Sequence, residues 1–241
     1  MNVRLARVLL VSFGAAAVVD LVSLAAGFTP GHLVAKPLLM PLLAAHVGVR
    51  GGPGLLTAAL LFGWGGDVLL LSGADPAFLA GMASFAAGHV CYLLLFRKST
   101  LQLFEKTTPG TRVEKAAPRA RGAWLDGVYG IALVATVALL WPGLPADLRI
   151  PVAGYSLLLT AMAARATRLG LVAGVGGAIF LLSDTLIATG VADWPQLPRP
   201  DFWIMLTYAV AQFLLVRGVL DLFGARSAPT AAYGEMRSTT S

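Results

Sequence analysis

Apolar residues dominate this chain in eight runs of 17 to 23 residues, separated by short clusters of glycine, proline and charged residues. A helix needs about 20 mostly apolar residues to cross the hydrocarbon core of a bilayer. Segments such as Thr29-Pro30-Gly31 and Arg50-Gly51-Gly52-Pro53 have the composition of turns rather than of helix interiors. The pattern therefore predicts eight membrane-spanning helices, at residues 7–28, 33–49, 54–72, 76–96, 124–141, 148–165, 170–189 and 201–223.

These runs predict one membrane domain: we expect residues 1–226 to form an all-α, polytopic transmembrane bundle of eight helices. The longest interruption, Arg97 to Ala123, holds seven basic residues against two acidic ones, which predicts a solvated cytoplasmic loop. Residues 227–241 are rich in Ser, Thr and Ala, which predicts a disordered C-terminal tail. The first run is longer than the apolar core of a signal peptide, roughly 7–15 residues, so we interpret it as a retained helix.

Composition and charge agree with this reading. Hydrophobic residues make up 57% of the chain and charged residues only 12%, against roughly 25% charged in ordinary soluble domains. With a cytoplasmic N-terminus, 15 of the 18 Lys and Arg residues fall inside, whereas Arg149 and Arg199 fall outside and Lys36 lies within a span. Inward-facing loops of membrane proteins are enriched in such residues. The positions of the basic residues therefore indicate that both termini are cytoplasmic, and the net charge of +6 reflects this topology rather than a nucleic-acid partner. We expect the membrane to be a bacterial inner membrane.

Ionisable side chains inside the predicted spans are the candidate functional residues. A charge at the bilayer centre costs about 2.5–3.5 kcal/mol, so such groups normally face the bundle interior, where they pair or function. Six ionisable residues and three polar companions are the candidates: Asp20, Lys36, His46, Asp67, His89 and Asp184, with Tyr155, Tyr208 and Gln212. Counted from the span ends, the three acids and Lys36 lie in the outer half of the membrane and His89 near its middle.

Helical spacing places several of these residues on shared faces. One face of the fourth span holds Gly81, Phe85, His89 and Tyr92, and Tyr208 and Gln212 lie one turn apart on the eighth. Each residue also has a structural interpretation, such as an Asp paired with Lys36 or a His89 bonded to a carbonyl. Three acids against one lysine nevertheless leave a carboxyl group without a basic partner. Such a group is suited to donate a proton.

Metal and serine chemistry are less well supported. His46 and His89 lie at different depths, His32 falls in an outer turn, and the metal-binding spacings H-x-x-x-H and H-E-x-x-H are absent from the sequence. The chain also lacks the G-x-S-x-G motif of serine hydrolases, and its single cysteine, Cys91, has no disulfide partner. We therefore expect no metal ion.

Five segments, taken in order, carry a resemblance to a known family: residues 36–41, 66–70, 78–92, 177–184 and 208–212. Through them the chain resembles, over about residues 10–220, the YhhN/TMEM86 family of membrane-bound lysoplasmalogenases. Thr207 and Trp64-Gly65 depart from the usual family pattern. The resemblance implies hydrolysis of the vinyl-ether bond of lysoplasmalogens, without a cofactor, to a fatty aldehyde and glycerophosphoethanolamine or glycerophosphocholine.

Asp67 and Asp184 are the residues that we expect to catalyse this reaction. Protonation of the alkene carbon gives an oxocarbenium ion, so one carboxylic acid and one carboxylate suffice, and which Asp plays which role stays open. The residues that we expect to bind substrate or support the site are Asp20, Lys36, His89, Tyr92, Tyr208 and Gln212. For Asp20 we favour a pair with Lys36.

A small-solute or proton-coupled transporter is the alternative function. Intramembrane Asp and Lys residues also line ion pathways. Pro37 and Pro41 in the second span are the one sign of the broken helices that many transporters use.

Overall fold

The structure is a computed structural model that describes residues 2–105 and 116–227. Of these described residues 86% are α-helical, and they include no β-strand. The helices are α1 (Val3–Ala26), α2 (Thr29–Val49), α3 (Gly54–Leu70), α4 (Asp75–Glu105), α5 (Ala116–Leu140), α6 (Arg149–Ala166), α7 (Leu171–Val191) and α8 (Pro200–Ser227). A single turn of 3-10 helix, Thr167–Leu169, joins α6 to α7.

The prediction of an all-helical membrane protein is confirmed in its class. In the described part of the chain, six helices are long and apolar enough to cross a membrane: α1, α2, α4, α5, α7 and α8. Of the other two, α3 is apolar but has 17 residues, and α6 has 18 residues with Arg149 and Arg165 near its ends. Large apolar side chains such as Val11 and Ile131 are exposed on outward faces, as a lipid-facing surface requires.

The predicted loop from Arg97 to Ala123 is wrong at both ends. Helix α4 continues to Glu105, because residues 97–105 include Leu, Gln, Arg and Lys, which favour helix, and neither glycine nor proline. Helix α5 begins at Ala116, with its proline in the first turn, where a helix tolerates it. Residues 106–115 lie outside the described residues, as does the predicted tail beyond Ser227.

The core of the bundle lies where α2, α4, α7 and α8 meet. Its largest fully buried side chains include Leu39 and Met40 of α2, Tyr92 and Phe96 of α4, Phe180 of α7 and Leu215 of α8. Helices α1 and α5 pack at the edges, with few buried positions. The centre of the bundle is therefore apolar, and the polar side chains described below interrupt it at a small number of places.

Glycines allow α7 and α8 to approach backbone to backbone. A Cβ atom at Gly176 would lie 2.9 Å from the backbone nitrogen of Leu215, and one at Gly218 would lie 2.8 Å from that of Ala173. Small residues serve this purpose in membrane bundles, where lipid supplies no hydrophobic force between helices. This contact brings Phe180 of α7 against Tyr208 of α8.

We expect Gly218→Ala to destabilise the protein by about 1–3 kcal/mol, because the added methyl group overlaps the α7 backbone. The matched control is Gly224→Ala on the same helix, where a Cβ atom meets nothing within 4 Å. Thermal unfolding in detergent measures both changes. Equal unfolding temperatures for the two variants would contradict the close packing of α7 against α8.

Candidate functional site

Asp67 of α3 is held by a tyrosine from α8. The Tyr208 hydroxyl donates a hydrogen bond to Oδ2 of Asp67 at 2.9 Å, and the two residues are only 4% and 2% exposed. Gly63 lies one turn before Asp67, and a Cβ atom there would be 3.1 Å from the Tyr208 hydroxyl oxygen. The missing side chain at Gly63 therefore gives Tyr208 the room to reach the carboxyl group.

Asp184 of α7 has a matching arrangement with α6. The Tyr155 hydroxyl donates a hydrogen bond to Oδ2 of Asp184, and Nε2 of His89 lies 3.0 Å from the same hydroxyl oxygen. Because the hydroxyl hydrogen points to Asp184, we assign Nε2–H of His89 as a donor to Tyr155. Its Nδ1 is then a buried acceptor without a hydrogen-bond partner.

An aromatic cluster connects the two aspartate–tyrosine pairs. The Phe180 ring centroid lies 5.0 Å from that of His89 and 5.6 Å from that of Tyr208, edge to face in both contacts. Phe85 of α4 packs on Tyr208 at 6.0 Å between ring centroids. The Phe180 ring thus contacts the hydrogen-bond network of each pair, although no hydrogen bond joins the two carboxyl groups directly. The two pairs therefore form one candidate site.

Gly66 lets the Phe85 ring lie against α3 beside Asp67. A Cβ atom at Gly66 would be 2.4 Å from that ring. On the same face of α4, Tyr92 donates a hydrogen bond to Oε1 of Gln212 at 2.7 Å, and both residues are 1% exposed. The amide of Gln212 thus fixes α8 against α4 one turn away from Tyr208.

The outer ends of α1 and α2 hold a further acid. Oδ1 of Asp20 accepts a hydrogen bond from Nδ1 of His32 at 2.7 Å. The sequence had suggested Lys36 as the partner of Asp20, and the structure shows His32 instead. The reason is that α2 begins at Thr29, with Pro30 in its first turn, so that His32 is helical rather than part of a turn. The other oxygen of Asp20 is buried without a partner.

Lys36 is half-buried between the two acids. It forms no ion pair within 4 Å with a described residue, yet it acts electrostatically on both Asp20 and Asp67. An unpaired ammonium group at this depth is costly unless a carboxylate or a ligand compensates it. Lys36 is therefore available both to Asp67 and to an anionic ligand.

An apolar pocket of about 110 Å³ lies next to the Asp184–Tyr155 pair. Helices α4, α5, α6 and α7 line it, mostly with Leu, Ile, Val, Phe and Met side chains. Asp184 and Tyr155 are among its polar lining residues, together with Thr160, whose hydroxyl is buried without a partner. Asp67 is not part of this lining, so the pocket presents Asp184 to an apolar ligand.

His46 lies at the other end of the bundle, away from the aspartates. Its Nδ1–H donates to the carbonyl oxygen of Ala6 at 2.8 Å, which gives it a structural role between α2 and α1. Within the described residues, no group of three or more His, Cys, Asp or Glu side chains is arranged to hold a metal ion.

Tyr155, His32 and Phe180 are the site residues to which the sequence assigned no role. Tyr155 was recognisable as an intramembrane polar residue, and its depth in the membrane could have identified its partner. It lies six residues from the start of α6, and Asp184 lies seven residues from the end of the antiparallel neighbour α7. The two residues therefore lie at similar depths on adjacent helices, which is the signal that could have predicted their contact. Phe180 offers no such signal, because a phenylalanine in a span is ordinary.

Sequence comparisons show which known proteins the chain resembles. The chain is 35% identical to lysoplasmalogenase TMEM86B of Homo sapiens over 166 residues, which cover 69% of the chain and 63% of that protein. It is 34% identical to lysoplasmalogenase TMEM86B of Sus scrofa over 195 residues, 77% of the chain and 75% of the relative. A lysoplasmalogenase of Mycobacterium tuberculosis is 28% identical over 202 residues, 78% of the chain and 71% of the relative. No solved structure matches the chain.

The family assignment follows from a match that includes both aspartate–tyrosine pairs. The sequence profile of the YhhN family matches residues 31–219, from the first turns of α2 to the later part of α8. Asp67, Tyr155, Asp184 and Tyr208 lie inside this region, whereas Asp20 lies outside it. The chain belongs to the YhhN family.

Proposed function

We propose that this protein is a membrane-embedded lysoplasmalogenase. It would hydrolyse the vinyl-ether bond of a lysoplasmalogen to a fatty aldehyde and glycerophosphoethanolamine or glycerophosphocholine. The observation that carries the proposal is the pair of tyrosine-bound carboxyl groups, one buried at Asp67 and one partly buried at Asp184, where it borders an apolar pocket. The printed names of the relatives support the same substrate class.

The proposed chemistry divides the reaction between the two aspartates. Asp184 lines the apolar pocket, so we assign it the transfer of a proton to the vinyl carbon that is not bonded to oxygen. Asp67, buried near Lys36, would stabilise the oxocarbenium ion as a carboxylate and take a proton from the water that adds to it. The hemiacetal then collapses: its hydroxyl proton returns to Asp184, and Asp67 gives its proton to the leaving glycerol oxygen, which yields the aldehyde and the free hydroxyl group and resets both acids.

The tyrosines and His89 act as positioning residues in this scheme. Tyr155 holds Oδ2 of Asp184, which leaves the other carboxyl oxygen for the substrate. Tyr208 does the same for Asp67, and His89 fixes Tyr155. Fixed hydrogen-bond partners keep catalytic groups in a productive geometry without reorganisation during the reaction.

We also propose that all eight helices cross the bilayer, with both termini in the cytoplasm of a bacterial cell. The 17 residues of α3 and the 18 of α6 extend about 26 Å and 27 Å, which suffices for a short span. Asp67 and Asp184 then lie three and seven residues from outward-facing helix ends. The vinyl ether of a lysolipid in the outer leaflet lies just below its headgroup, at a similar depth.

Transport is the less supported function. Pro37 and Pro41 lie inside α2, which is continuous from Thr29 to Val49. The half-helix break that favours a transporter is thus not seen at the position where the sequence suggested it.

We expect Asp67→Asn and Asp184→Asn each to lower turnover of a lysoplasmalogen by about 10²-fold or more, the usual effect of losing a general acid or base. Asparagine is nearly isosteric and still accepts the tyrosine hydrogen bond, so folding should survive. Aldehyde release in detergent measures turnover, and size-exclusion chromatography reports folding. Asp221→Asn, at a site that is 61% exposed on α8, is the matched control.

Near-normal turnover in the Asp67→Asn or the Asp184→Asn variant would show that the substituted residue is not catalytic. Asp20→Asn tests a milder case, because Asp20 bonds His32 and has no contact with the pocket. We expect it to lower turnover less than either of the other two substitutions.

Metal removal should leave activity unchanged, because protonation by a carboxylic acid needs no Lewis acid. The measurement is aldehyde release before and after dialysis against a chelator, with zinc, magnesium and calcium added back separately. Activity that is lost on dialysis and restored by zinc alone would overturn the mechanism.

The orientation is tested with reporters fused after Ser241 and within the turn between α5 and α6. A periplasm-dependent phosphatase should be inactive at the C-terminus and active in that turn, which ends just before Arg149, the first residue of α6. A fluorescent reporter that folds only in the cytoplasm should give the opposite result. Phosphatase activity at the C-terminus would refute the proposed topology.

A further inference from the structure

Arg199 is a cationic side chain on the predicted outer side to which the mechanism gives no role. It precedes α8 by one residue, and its guanidinium lies over Gly27 at the end of α1, where a Cβ atom would be 3.0 Å from Nη1. Its side chain has no hydrogen bond or ion pair with any residue that the structure describes. The five donors of the guanidinium are therefore free for a ligand.

Arg149, the other arginine on the predicted outer side, differs in this respect. Its Nε donates to the carbonyl oxygen of Leu144 at 3.2 Å, and its guanidinium carbon lies 5.9 Å from the ring centroid of Trp141. Arg149 thus has a local structural function. The free donors of Arg199 are a property of that position and not of outer arginines in general.

His32 adds a second polar group close to Gly27. It lies in the first turns of α2, which follows Gly27 after a single residue. Its Nδ1 is fixed by Asp20, whereas its Nε2 makes no hydrogen bond with a described residue, and the side chain is 15% exposed. The imidazole is therefore oriented by a buried carboxyl group with one nitrogen left open.

Lys36 is a third polar side chain, and it lies further along α2 than His32, near the level of Asp67. It lies four residues after His32 and so on the same face of α2. Met40, one further turn along, lies 4.0 Å from the Cβ position of Gly63, and Gly63 precedes Asp67 by one turn. Because α2 and α3 are consecutive antiparallel helices, Lys36 lies level with Asp67, in agreement with their electrostatic interaction.

We propose that Arg199, His32 and Lys36 bind the phosphate group of the lysolipid headgroup. This inference rests on the proposed function and deepens it. A phosphodiester anion suits Arg and Lys donors, whose hydrogen bonds to phosphate are charge-assisted. In this proposal the three side chains would form a polar track from the outer surface towards Asp67, whereas the apolar pocket reaches Asp184. A single-chain lipid then places its headgroup in the track, its chain in the pocket and its vinyl ether between the aspartates.

The test compares two substrates that share the vinyl ether and differ in the phosphate: a 1-alkenyl lysophosphatidylethanolamine and a 1-alkenyl glycerol. We expect Arg199→Gln to raise KM for the phospholipid about tenfold with kcat unchanged, the effect of losing one charge-assisted hydrogen bond. KM for the alkenyl glycerol should stay the same. Arg149→Gln, which removes the same charge, should leave both KM values unchanged. Equal effects of Arg199→Gln on both substrates, or no effect on either, would overturn the proposal.

A binding measurement separates this inference from the proposed function. A 1-alkyl lysophosphatidylethanolamine has no vinyl ether, so its effect on the unfolding temperature reports binding without turnover. Wild-type protein should be stabilised more by this lipid than by 1-alkyl glycerol, and Arg199→Gln should abolish the difference. That result in a protein that hydrolyses no vinyl ether would refute the proposed function and leave the headgroup site standing. Stabilisation of equal size by inorganic phosphate alone would assign the site to free phosphate and refute a lipid subsite.

Discussion

Burial of carboxyl groups away from water is the constraint on which the arrangement of this bundle depends. Asp67 and Asp184 lie within apolar helices, where an unpaired polar group is costly. Each is compensated by a tyrosine hydroxyl from a different helix, Tyr208 and Tyr155. Since those tyrosines belong to α8 and α6, satisfying the acids ties four helices together. The hydrogen bonds that make the acids tolerable in the membrane are the same ones that would orient them for catalysis.

Small residues make these contacts possible. Gly63 gives the Tyr208 hydroxyl access to Asp67, and Gly66 accommodates the Phe85 ring beside it. On the other side of the cluster, Gly176 and Gly218 bring α7 and α8 close enough for Phe180 to contact Tyr208. In a bilayer the association of helices depends on such packing, because lipid chains are as apolar as the helices themselves. The glycines therefore determine the geometry of the polar groups although they carry no chemistry.

The sequence predicted the helices well because membrane thickness dictates the length of apolar runs. Several residues of the site could also be recognised from the sequence, since Asp and His, as at Asp67, Asp184 and His89, are rare within membrane spans. What the sequence did not predict is which helices meet. The partner of Asp20 was taken to be Lys36 and is His32, because a Thr-Pro-Gly segment resembles a turn and here begins a helix. Tyr155 was assigned no role, because its function arises only when α6 lies against α7.

The two aspartates differ in their surroundings, and the difference follows the chemistry of an amphiphilic substrate. Asp184 borders an apolar pocket, whereas Asp67 lies level with Lys36 at the inner end of the proposed polar track. A lysolipid has the same division, with its vinyl ether at the junction of chain and headgroup. A proton donor is useful on the apolar side, where the alkene carbon lies, and a compensated carboxylate on the polar side, where water enters. In the proposed reaction, the boundary between apolar and polar packing in the bundle would thus select both the position of the scissile bond and the role of each acid.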